Sequence, residues 1–229
     1  MCGRFTLISQ IQLLQRILRL NRTPEWSPRY NIAPAQDIPV VRELPDSGER
    51  ECMLMRWGLV PSWAKDLSLG AKMINARAET LFEKPAFRQA IHSRRCLIPA
   101  DGFYEWKMEG RAKQPYYIRM EDEQPFLLAG LWEKWIGGDA PLYSCTIITT
   151  GANDRLRGLH ERMPVIVDPN RADTWLDPQL HDRRELETLL QPYPAEAFVF
   201  YPVSTQVNRV GNDSPECIHP FSPPGELLL

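Results

Sequence analysis

A cysteine occupies the second position of the chain, in the opening Met1-Cys2-Gly3-Arg4-Phe5. Removal of Met1 would leave Cys2 with a free α-amine and a thiol on adjacent carbons. Such a 1,2-aminothiol captures aldehydes, because the amine forms an imine and the thiol then closes on the imine carbon to give a thiazolidine ring. Roughly a tenth of an α-amine is unprotonated and nucleophilic at pH 7. The alternative is that Cys2 merely belongs to an unstructured terminus.

Three polar residues, Asn75, Arg77 and Glu79, alternate along the segment 74–79. An extended backbone would place all three on one face. A guanidinium binds phosphate through two parallel hydrogen bonds, and an amide can donate to and accept from a sugar. The alternative is a surface ion pair between Arg77 and Glu79.

Two other side chains are candidates for proton transfer. Glu105 stands in the aromatic segment 103–106, which predicts partial burial. Burial favours the protonated form of a carboxylate, so that proton transfer near neutral pH becomes efficient. His160 lies beside Arg162 just before a predicted strand, and imidazole exchanges protons at physiological pH. The alternatives are an exposed glutamate on the wet face of a strand and an ordinary loop histidine.

Tryptophan is frequent in this chain, with seven residues. Trp63 lies in a proline-marked loop, where an exposed ring could stack on a base or wedge into a duplex. We expect Trp57 to be a core residue instead. No spacing of histidine and cysteine resembles a zinc site, and we expect neither a metal nor a cofactor.

Composition restricts the class of protein. Lys and Arg number 27 against 29 Asp and Glu, so the net charge is −2 and no global basic field indicates nucleic acid, although a local basic face remains possible. Five cysteines without a C-x-x-C pair indicate reduced, mostly buried thiols. No segment approaches the roughly 20 apolar residues of a membrane span, and no signal-peptide core is present. We therefore expect a cytoplasmic protein.

The sequence contains no repeats and no low-complexity linker, so we expect one continuous domain over 1–229, with 220–229 as an extended tail. A helix is predicted over 8–20, with Ser9 as a possible cap. Shorter helices are predicted over 85–92 (starting at Pro85), 170–176 and 182–190. Short strands are predicted at 38–42, 52–57, 96–99, 115–120, 126–132, 143–149, 163–167 and 197–201. Many short strands with turn signals favour a mostly antiparallel sheet curled into a barrel-like core.

Six segments together resemble the SRAP family, the SOS-response-associated peptidases or abasic-site processing proteins. The resemblance covers nearly the whole chain, and the segments occur in the characteristic order of the family. They are Cys2-Gly3-Arg4-Phe5, Arg29-Tyr30-Asn31-Ile32-Ala33-Pro34, Trp57-Gly58, Asn75-Ala76-Arg77-x-Glu79, Asp101-Gly102-Phe103-Tyr104-Glu105-Trp106 and His160-x-Arg162-Met163-Pro164.

The resemblance implies an α+β fold and a covalent reaction with DNA. An abasic site in single-stranded DNA equilibrates with an open-chain aldehyde, which the Cys2 amine and thiol would capture as a thiazolidine after Met1 removal. Removal of Met1 is thought to be autocatalytic in the family, hence the word peptidase. The cross-link would shield the lesion from strand-cleaving enzymes and error-prone bypass.

The resemblance also implies roles for individual residues. Glu105 would position or deprotonate the amine and shuttle protons, His160 would help open the sugar ring, and Asn75 would hold Cys2 and the deoxyribose. The residues expected at the DNA are Arg4, Arg77, Arg162 and Trp63.

The expected partner is single-stranded DNA with abasic sites, including single-strand/duplex junctions. We expect the protein to be a monomer, with Cys2 at its surface. Association with the nucleoid would follow from DNA binding. Two rival classes stay open. One is an N-terminal-nucleophile cysteine hydrolase, with Cys2 as thiolate and His160 as base. The other is a non-covalent reader of modified DNA that uses Trp63 and the arginines.

Overall fold

The computed structural model of the protein describes residues 2–44 and 47–221. Met1 and most of the expected tail over 220–229 therefore lie outside the described residues. Four α-helices are formed, α1 (Ile11–Leu18), α2 (Ala90–Ser93), α3 (Ala172–Leu176) and α4 (Arg183–Leu189). The strands are β1 (Phe5–Leu7), β2 (Arg29–Ile32), β3 (Asp37–Glu43), β4 (Arg50–Trp57), β5 (Asn75–Arg77), β6 (Arg95–Ala100), β7 (Gly102–Glu109), β8 (Ala112–Met120), β9 (Phe126–Trp135), β10 (Leu142–Gly151), β11 (Arg162–Pro164), β12 (Ile166–Val167) and β13 (Phe198–Pro202).

Five strands close into a barrel in the order β10-β4-β3-β6-β9, and β9 pairs back with β10. The pairing of β10 with β4 is parallel, whereas the other pairings around the ring are antiparallel. Strands β5 and β11 extend the barrel at β10, and β12 extends it at β9. A second, antiparallel sheet has the order β13-β8-β7-β1-β2. The α+β class with a barrel-like, mostly antiparallel core is confirmed.

Alternation along the barrel strands separates two apolar clusters. Cys96 and Ile98 of β6 belong to the main core cluster, which also holds Phe5 and Phe103 of the second sheet. Leu97 lies between them in sequence and belongs to a second cluster together with Trp175 of α3. Successive strand residues point to opposite faces, so one set of barrel residues shares an apolar cluster with the second sheet and the alternate set shares one with the short helices.

The predicted strands are confirmed, with shifts of a few residues at their ends. One of them divides, because the predicted run 163–167 is split into β11 and β12. The Val165 amide donates to Ile148 of β10 while its carbonyl accepts from Ala129 of β9, so the chain crosses from one neighbour to the other at this residue. At the start of the expected tail, Pro220 forms a β-bridge with Val203.

The first predicted helix is shorter than the prediction 8–20, and the cap assigned to Ser9 is wrong. The Asp101 carboxylate accepts the backbone N–H groups of Ile8 and Ser9 and also the Ser9 hydroxyl, which holds both residues outside the helix. Helix α1 begins at Ile11, after Gln10, and no side chain caps it. At its other end Arg19 adopts a left-handed conformation with φ of 54°.

The other helical predictions meet different outcomes. In the segment 85–92 only Ala90–Ser93 is a regular α-helix, because Pro85 lies in a separate turn closed by the Arg88 amide and the Lys84 carbonyl. The prediction 182–190 agrees with α4, whose first turn is capped by the Asp182 carboxylate. No helix in the described ranges is both long and apolar enough to cross a membrane.

The Trp57–Gly58 turn connects the barrel to β5. Trp57 is fully buried, as predicted, and its indole N–H donates to the Ile74 carbonyl at 2.9 Å. Gly58 has φ of +125°, and a Cβ built on it would lie 2.6 Å from the Gly70 carbonyl oxygen. A side chain at position 58 is therefore excluded by backbone conformation and by space. The turn fixes the residue that precedes Asn75.

Candidate active site

The chain start lies against strand β7 of the second sheet. Phe5 pairs with Phe103, and the Tyr104 amide donates to the Arg4 carbonyl at 2.9 Å. Phe103 and Glu105 share one face of β7 because they are two residues apart, and Phe103 belongs to the main core cluster together with Cys2. The expectation that Cys2 lies at the protein surface is wrong, since its exposed fraction is 0%.

Cys2, Asn75 and Glu105 are brought together at this point. The Asn75 side-chain amide donates to the Cys2 carbonyl at 2.8 Å. The Asn75 Oδ1 atom is buried and accepts no hydrogen bond within the described part of the chain. Glu105 is 5% exposed, which confirms the predicted burial and excludes the wet face of a strand. A buried carboxylate and an acceptor oxygen thus lie beside the residue that would carry the reactive amine.

The environment of Cys2 keeps its thiol protonated. Burial, and next the nearby Glu105 carboxylate, raise the pKa of the Cys2 thiol to about 12. Both causes disfavour a thiolate, because a low-dielectric site and a like charge each oppose ionisation. All five cysteines are free, and four of them are buried, as the absence of paired spacing predicted.

The motif that contains Asn75 and Arg77 and the motif that contains Arg162 both pair with the C-terminal end of strand β10. On one side Ile147 aligns with Asn75 and Thr149 with Arg77 in parallel register. On its other side Gly151 aligns with Arg162 of β11. The two segments are far apart in sequence and become neighbours because each pairs with the same strand.

The expected common face of Asn75, Arg77 and Glu79 is only partly correct. Strand β5 ends at Arg77, and Glu79 lies in a 3₁₀ turn (Ala78–Thr80). The Glu79 carboxylate binds Arg162 through both oxygens, at 2.9 and 3.0 Å, and not Arg77 as the alternative interpretation supposed. Arg77 is exposed, and its guanidinium donates no hydrogen bond within the described residues.

His160 lies in the loop between β10 and β11. Its Nδ1 accepts the backbone N–H of Arg162 at 2.9 Å. In the neutral imidazole the proton must then lie on Nε2, which makes Nε2–H the group that can donate to a ligand. Leu159 and Met163, on either side of His160, belong to the same core cluster as Cys2, so the loop is anchored beside that core.

Arg4 is half-buried, and its guanidinium is bound to other parts of the protein. Its guanidinium donates to Asn31 Oδ1 at 2.7 Å and to the Val207 carbonyl at 2.9 Å, and it lies over the Trp106 ring at 5.8 Å. Burial lowers its pKa from the ordinary arginine value. Trp106 points to the face of β7 opposite to Glu105, so the Arg4 side chain is on the far side of the sheet from that carboxylate.

Trp63 is exposed, with 59% of its surface accessible, and lies in the loop that follows the Trp57–Gly58 turn. The next residue anchors this loop, because the Ala64 carbonyl accepts the indole N–H of Trp135 at 2.8 Å. The ring of Trp63 is therefore presented on a fixed backbone, in agreement with the predicted exposure.

Three important residues were missed at the level of sequence. Thr149 accepts from Arg162 through its carbonyl oxygen and its hydroxyl. Tyr116 lies directly across the ladder from Glu105. The buried Asn31 amide donates to the carbonyl groups of three residues, which are Val207, Arg209 and Asn212. At Asn31, which lies between Tyr30 and Ile32, a polar residue between apolar ones was the available signal, but its partners are distant in sequence.

The described residues contain no group of three or more histidine, cysteine, aspartate or glutamate side chains that could hold a metal ion. The site offers instead a carboxylate, an amide, an imidazole and guanidinium groups. These can transfer protons and bind an oxygen-rich anion.

Comparisons with known proteins agree on one family. A family model described as SOS response associated peptidase (SRAP) matches residues 1–210. The abasic site processing protein YoqW of Bacillus subtilis (strain 168) is 45% identical over 223 residues, which cover 95% of this chain and 99% of that protein. The abasic site processing protein HMCES of Gallus gallus is 36% identical over 264 residues, covering 96% of this chain and 78% of that protein. A crystal structure of a protein from Bacteroides thetaiotaomicron superposes with a TM-score of 0.86 at 27% identity, covering 96% of this chain and 100% of that one.

Proposed function

The chain belongs to the SRAP family, and on that premise we propose that it processes abasic sites in DNA by capturing the aldehyde of the lesion on Cys2. The relatives named abasic site processing proteins support the type of lesion. The covalent chemistry is our inference from the site. It requires that Met1 is removed, so that Cys2 carries a free amine.

The placement of Cys2 between Asn75 and Glu105 is the observation that carries this proposal. The Asn75 amide fixes the Cys2 carbonyl, and Asn75 Oδ1 remains to accept from the amine or from the deoxyribose. Glu105 takes a proton from the Cys2 ammonium, and the free amine then adds to the aldehyde carbon. Glu105 returns the proton to the hydroxyl of the resulting carbinolamine, which leaves as water and gives the protonated imine.

The thiol acts second. Its raised pKa keeps it protonated until the imine carbon is adjacent. The sulfur then bonds to that carbon, the π electrons of the C=N bond move to the nitrogen, and the thiol proton passes to the Glu105 carboxylate, so that the ring closes without an oxidant or a leaving group. Holding both groups on one residue makes the second step intramolecular, which favours closure over hydrolysis of the imine.

The remaining residues would handle the DNA. His160 donates from Nε2 to the ring oxygen of the closed sugar, which helps the aldehyde to form. Arg77 is exposed and available for a flanking phosphate, whereas Arg162 must first exchange its bond with Glu79. The exposed Trp63 ring is suited to stacking on a base beside the lesion. We propose single strands and single-strand/duplex junctions as substrates.

The cysteine-hydrolase alternative is less well supported. A thiolate nucleophile needs surroundings that lower the thiol pKa, such as a neighbouring cation. Cys2 has the opposite, burial and a neighbouring carboxylate. A non-covalent reader would use Arg77 and Trp63 but has no need for the arrangement around Cys2.

The test is adduct formation on an abasic single strand, followed on a denaturing gel. Processed wild-type protein should give a heat-stable adduct. Cys2→Ala keeps the amine and loses the thiol, so we expect an imine that borohydride traps, but no stable adduct. An extra N-terminal residue that blocks the amine should abolish both products.

Each rival predicts a different result. A stable adduct from Cys2→Ala would exclude thiazolidine formation. If the wild type bound abasic DNA without forming any adduct, and binding did not depend on Cys2, the non-covalent reader would be favoured. Cleavage of amide substrates by a protein with a blocked amine would favour the hydrolase.

A further inference from the structure

We propose that Glu79 is a specificity-determining residue whose carboxylate occupies the phosphate-binding edge of Arg162 until a DNA phosphate displaces it. This inference rests on the proposed function, because it concerns the DNA contact of the same site. It assigns to Glu79 the role of an internal competitor that weakens binding to undamaged strands.

The hydrogen bonds of Arg162 show that its binding edge is filled. Its Nη1 and Nη2 atoms each donate to one oxygen of the Glu79 carboxylate, at 2.9 and 3.0 Å. Its Nη2 also donates to the Thr149 carbonyl at 2.6 Å, and its Nε approaches the Thr149 hydroxyl at 3.3 Å. A guanidinium has five N–H groups in a fixed fork, and the parallel pair that would bind a phosphate is the pair that Glu79 holds.

The two partners differ in how firmly they are held. The Arg162 side chain is 14% exposed and is fixed by Thr149 in the barrel, whereas the Glu79 side chain is 54% exposed in a 3₁₀ turn. Glu79 can therefore swing into solvent while the guanidinium stays in place. An anion that arrives from solvent meets Arg162 on the side from which Glu79 leaves.

Charge balance gives this exchange a measurable signature. While Glu79 is charged, the Glu79–Arg162 pair has no net charge. The protein therefore brings little net positive charge to a phosphate that binds Arg162. Arg77 aligns with Thr149 on the opposite side of β10, and within the described residues no carboxylate forms a salt bridge with it, so its charge is available to a phosphate. Release of condensed cations from DNA follows the net charge that the protein brings to each phosphate. A phosphate contact to Arg162 should therefore add little to the log–log slope of DNA affinity against salt concentration, whereas a phosphate contact to Arg77 should add to it.

The experiment measures the affinity for an undamaged oligothymidine at several salt concentrations. Glu79→Gln keeps the side-chain shape and removes the competitor. We expect it to bind about two- to five-fold more tightly than the wild type, because a displaceable ion pair no longer has to open. The log–log salt slope should become steeper by about 0.7, the value for one phosphate on a single strand.

A matched control separates this local effect from net charge. Glu83 is exposed on the same segment, and Glu83→Gln changes the net charge equally. It should leave the salt slope as in the wild type. Equal effects of the two variants, or weaker binding by Glu79→Gln, would overturn the proposal and make Glu79 a residue that merely orients Arg162.

A second variant tests the same idea without leaving the Arg162 guanidinium unpaired. The double variant Glu79→Gln/Arg162→Gln removes both charges and should retain the wild-type salt slope, whereas Arg77→Ala should lower it by about 0.7. A double variant that loses as much slope as Arg77→Ala would contradict the proposal. Failure of the proposed function is recognised separately, because the wild type would then give no adduct with an abasic strand.

Discussion

Glu105 holds the position from which proton transfer to and from the Cys2 amine is possible. We predict that Glu105→Gln slows adduct formation by about 10²–10⁴-fold, the usual contribution of general acid–base catalysis. The affinity for an undamaged single strand should stay within about two-fold of the wild type, because Glu105 is buried and contacts no phosphate in this scheme. Single-turnover rates on denaturing gels and fluorescence anisotropy measure the two quantities.

Glu109→Gln is the matched control, since Glu109 lies further along the same face of β7 and is exposed, bonded to the Tyr116 hydroxyl. It should react at the wild-type rate. If Glu105→Gln lost affinity as strongly as rate, Glu105 would be a structural residue.

At the scale of single residues, sequence reasoning succeeded where the neighbours in sequence decide the environment. The aromatic residues around Glu105 predicted its burial, and the proline-marked loop predicted the exposure of Trp63. The partner of Glu79 could not be predicted in this way. Arg162 is 83 positions away, and the two meet only because β5 and β11 flank β10.

The turn after β4 is the element that sets the position of β5. We predict that Gly58→Ala destabilises the protein by about 2–4 kcal/mol, because an alanine must adopt a positive φ and its Cβ would overlap the Gly70 carbonyl. Movement of this turn would also shift the Trp57 indole from the Ile74 carbonyl, so that Asn75 is misplaced and adduct formation slows. Urea unfolding measures the first effect and adduct rates the second.

Gly211→Ala provides the comparison, because no atom lies within 4 Å of a Cβ built there. It should change stability by less than about 0.5 kcal/mol. Equal stability of the Gly58 and Gly211 variants would mean that the turn relaxes freely and does not position β5.

The ion pair that ties the 3₁₀ turn after β5 to β11 gives a pH dependence. The Arg162 hydrogen bonds hold the pKa of the Glu79 carboxyl below its usual range. A carboxyl with a lowered folded-state pKa stabilises the fold above its unfolded-state pKa, about 4.3, and that stabilisation is lost as the pH falls through the folded-state value. Because Glu79 is half exposed, we expect less than about 1 kcal/mol.

Between about pH 5 and pH 3, the free energy of unfolding of Glu79→Gln should therefore fall less with decreasing pH than that of the wild type. Glu83→Gln should show the wild-type pH dependence. Chemical denaturation at a series of pH values measures this. Parallel curves for all three proteins would show that the pair does not link the two elements.

The strands β1, β2 and β7 of the second sheet are not among the predicted strands, and the boundaries of the elements that were predicted differ from the observed ones. Helix α1 starts three residues later than predicted because Asp101, a residue of the distant β6–β7 connection, binds the amides of Ile8 and Ser9. Likewise, the run 163–167 is strand-like throughout, but its division depends on which neighbours it meets. Local propensity contains no information about such partners.

At the scale of the whole molecule, many short strands with turn signals predicted a curled, barrel-like sheet, and the closed ring of β10, β4, β3, β6 and β9 agrees. The parallel contact of β10 with β4 and the second sheet over one face of the barrel were not predictable. Closure of the ring depends on pairings between strands that are far apart in sequence. The loop-closure entropy that these pairings cost, and the contacts that compensate it, depend on the complete fold. The burial of Cys2 between the two sheets follows from this assembly and not from the residues beside it.

Under the proposed capture on Cys2, the buried position of this residue restricts the shape of the substrate that the protein can use. The sugar carbon of the lesion must reach into the protein to meet the Cys2 amine, and a stacked duplex keeps that carbon inside the helix. Extrusion costs a few kcal/mol and is easiest where the strand is already single. With a net charge of −2, the protein has no large electrostatic term with which to distort DNA.

We therefore predict fast cross-linking to an abasic site in a single strand or at a junction and slow cross-linking within a duplex, measured as adduct rates on three matched oligonucleotides. An undamaged strand should bind weakly and never covalently, while comparable rates on all three substrates would indicate active opening of the duplex by a wedge such as Trp63.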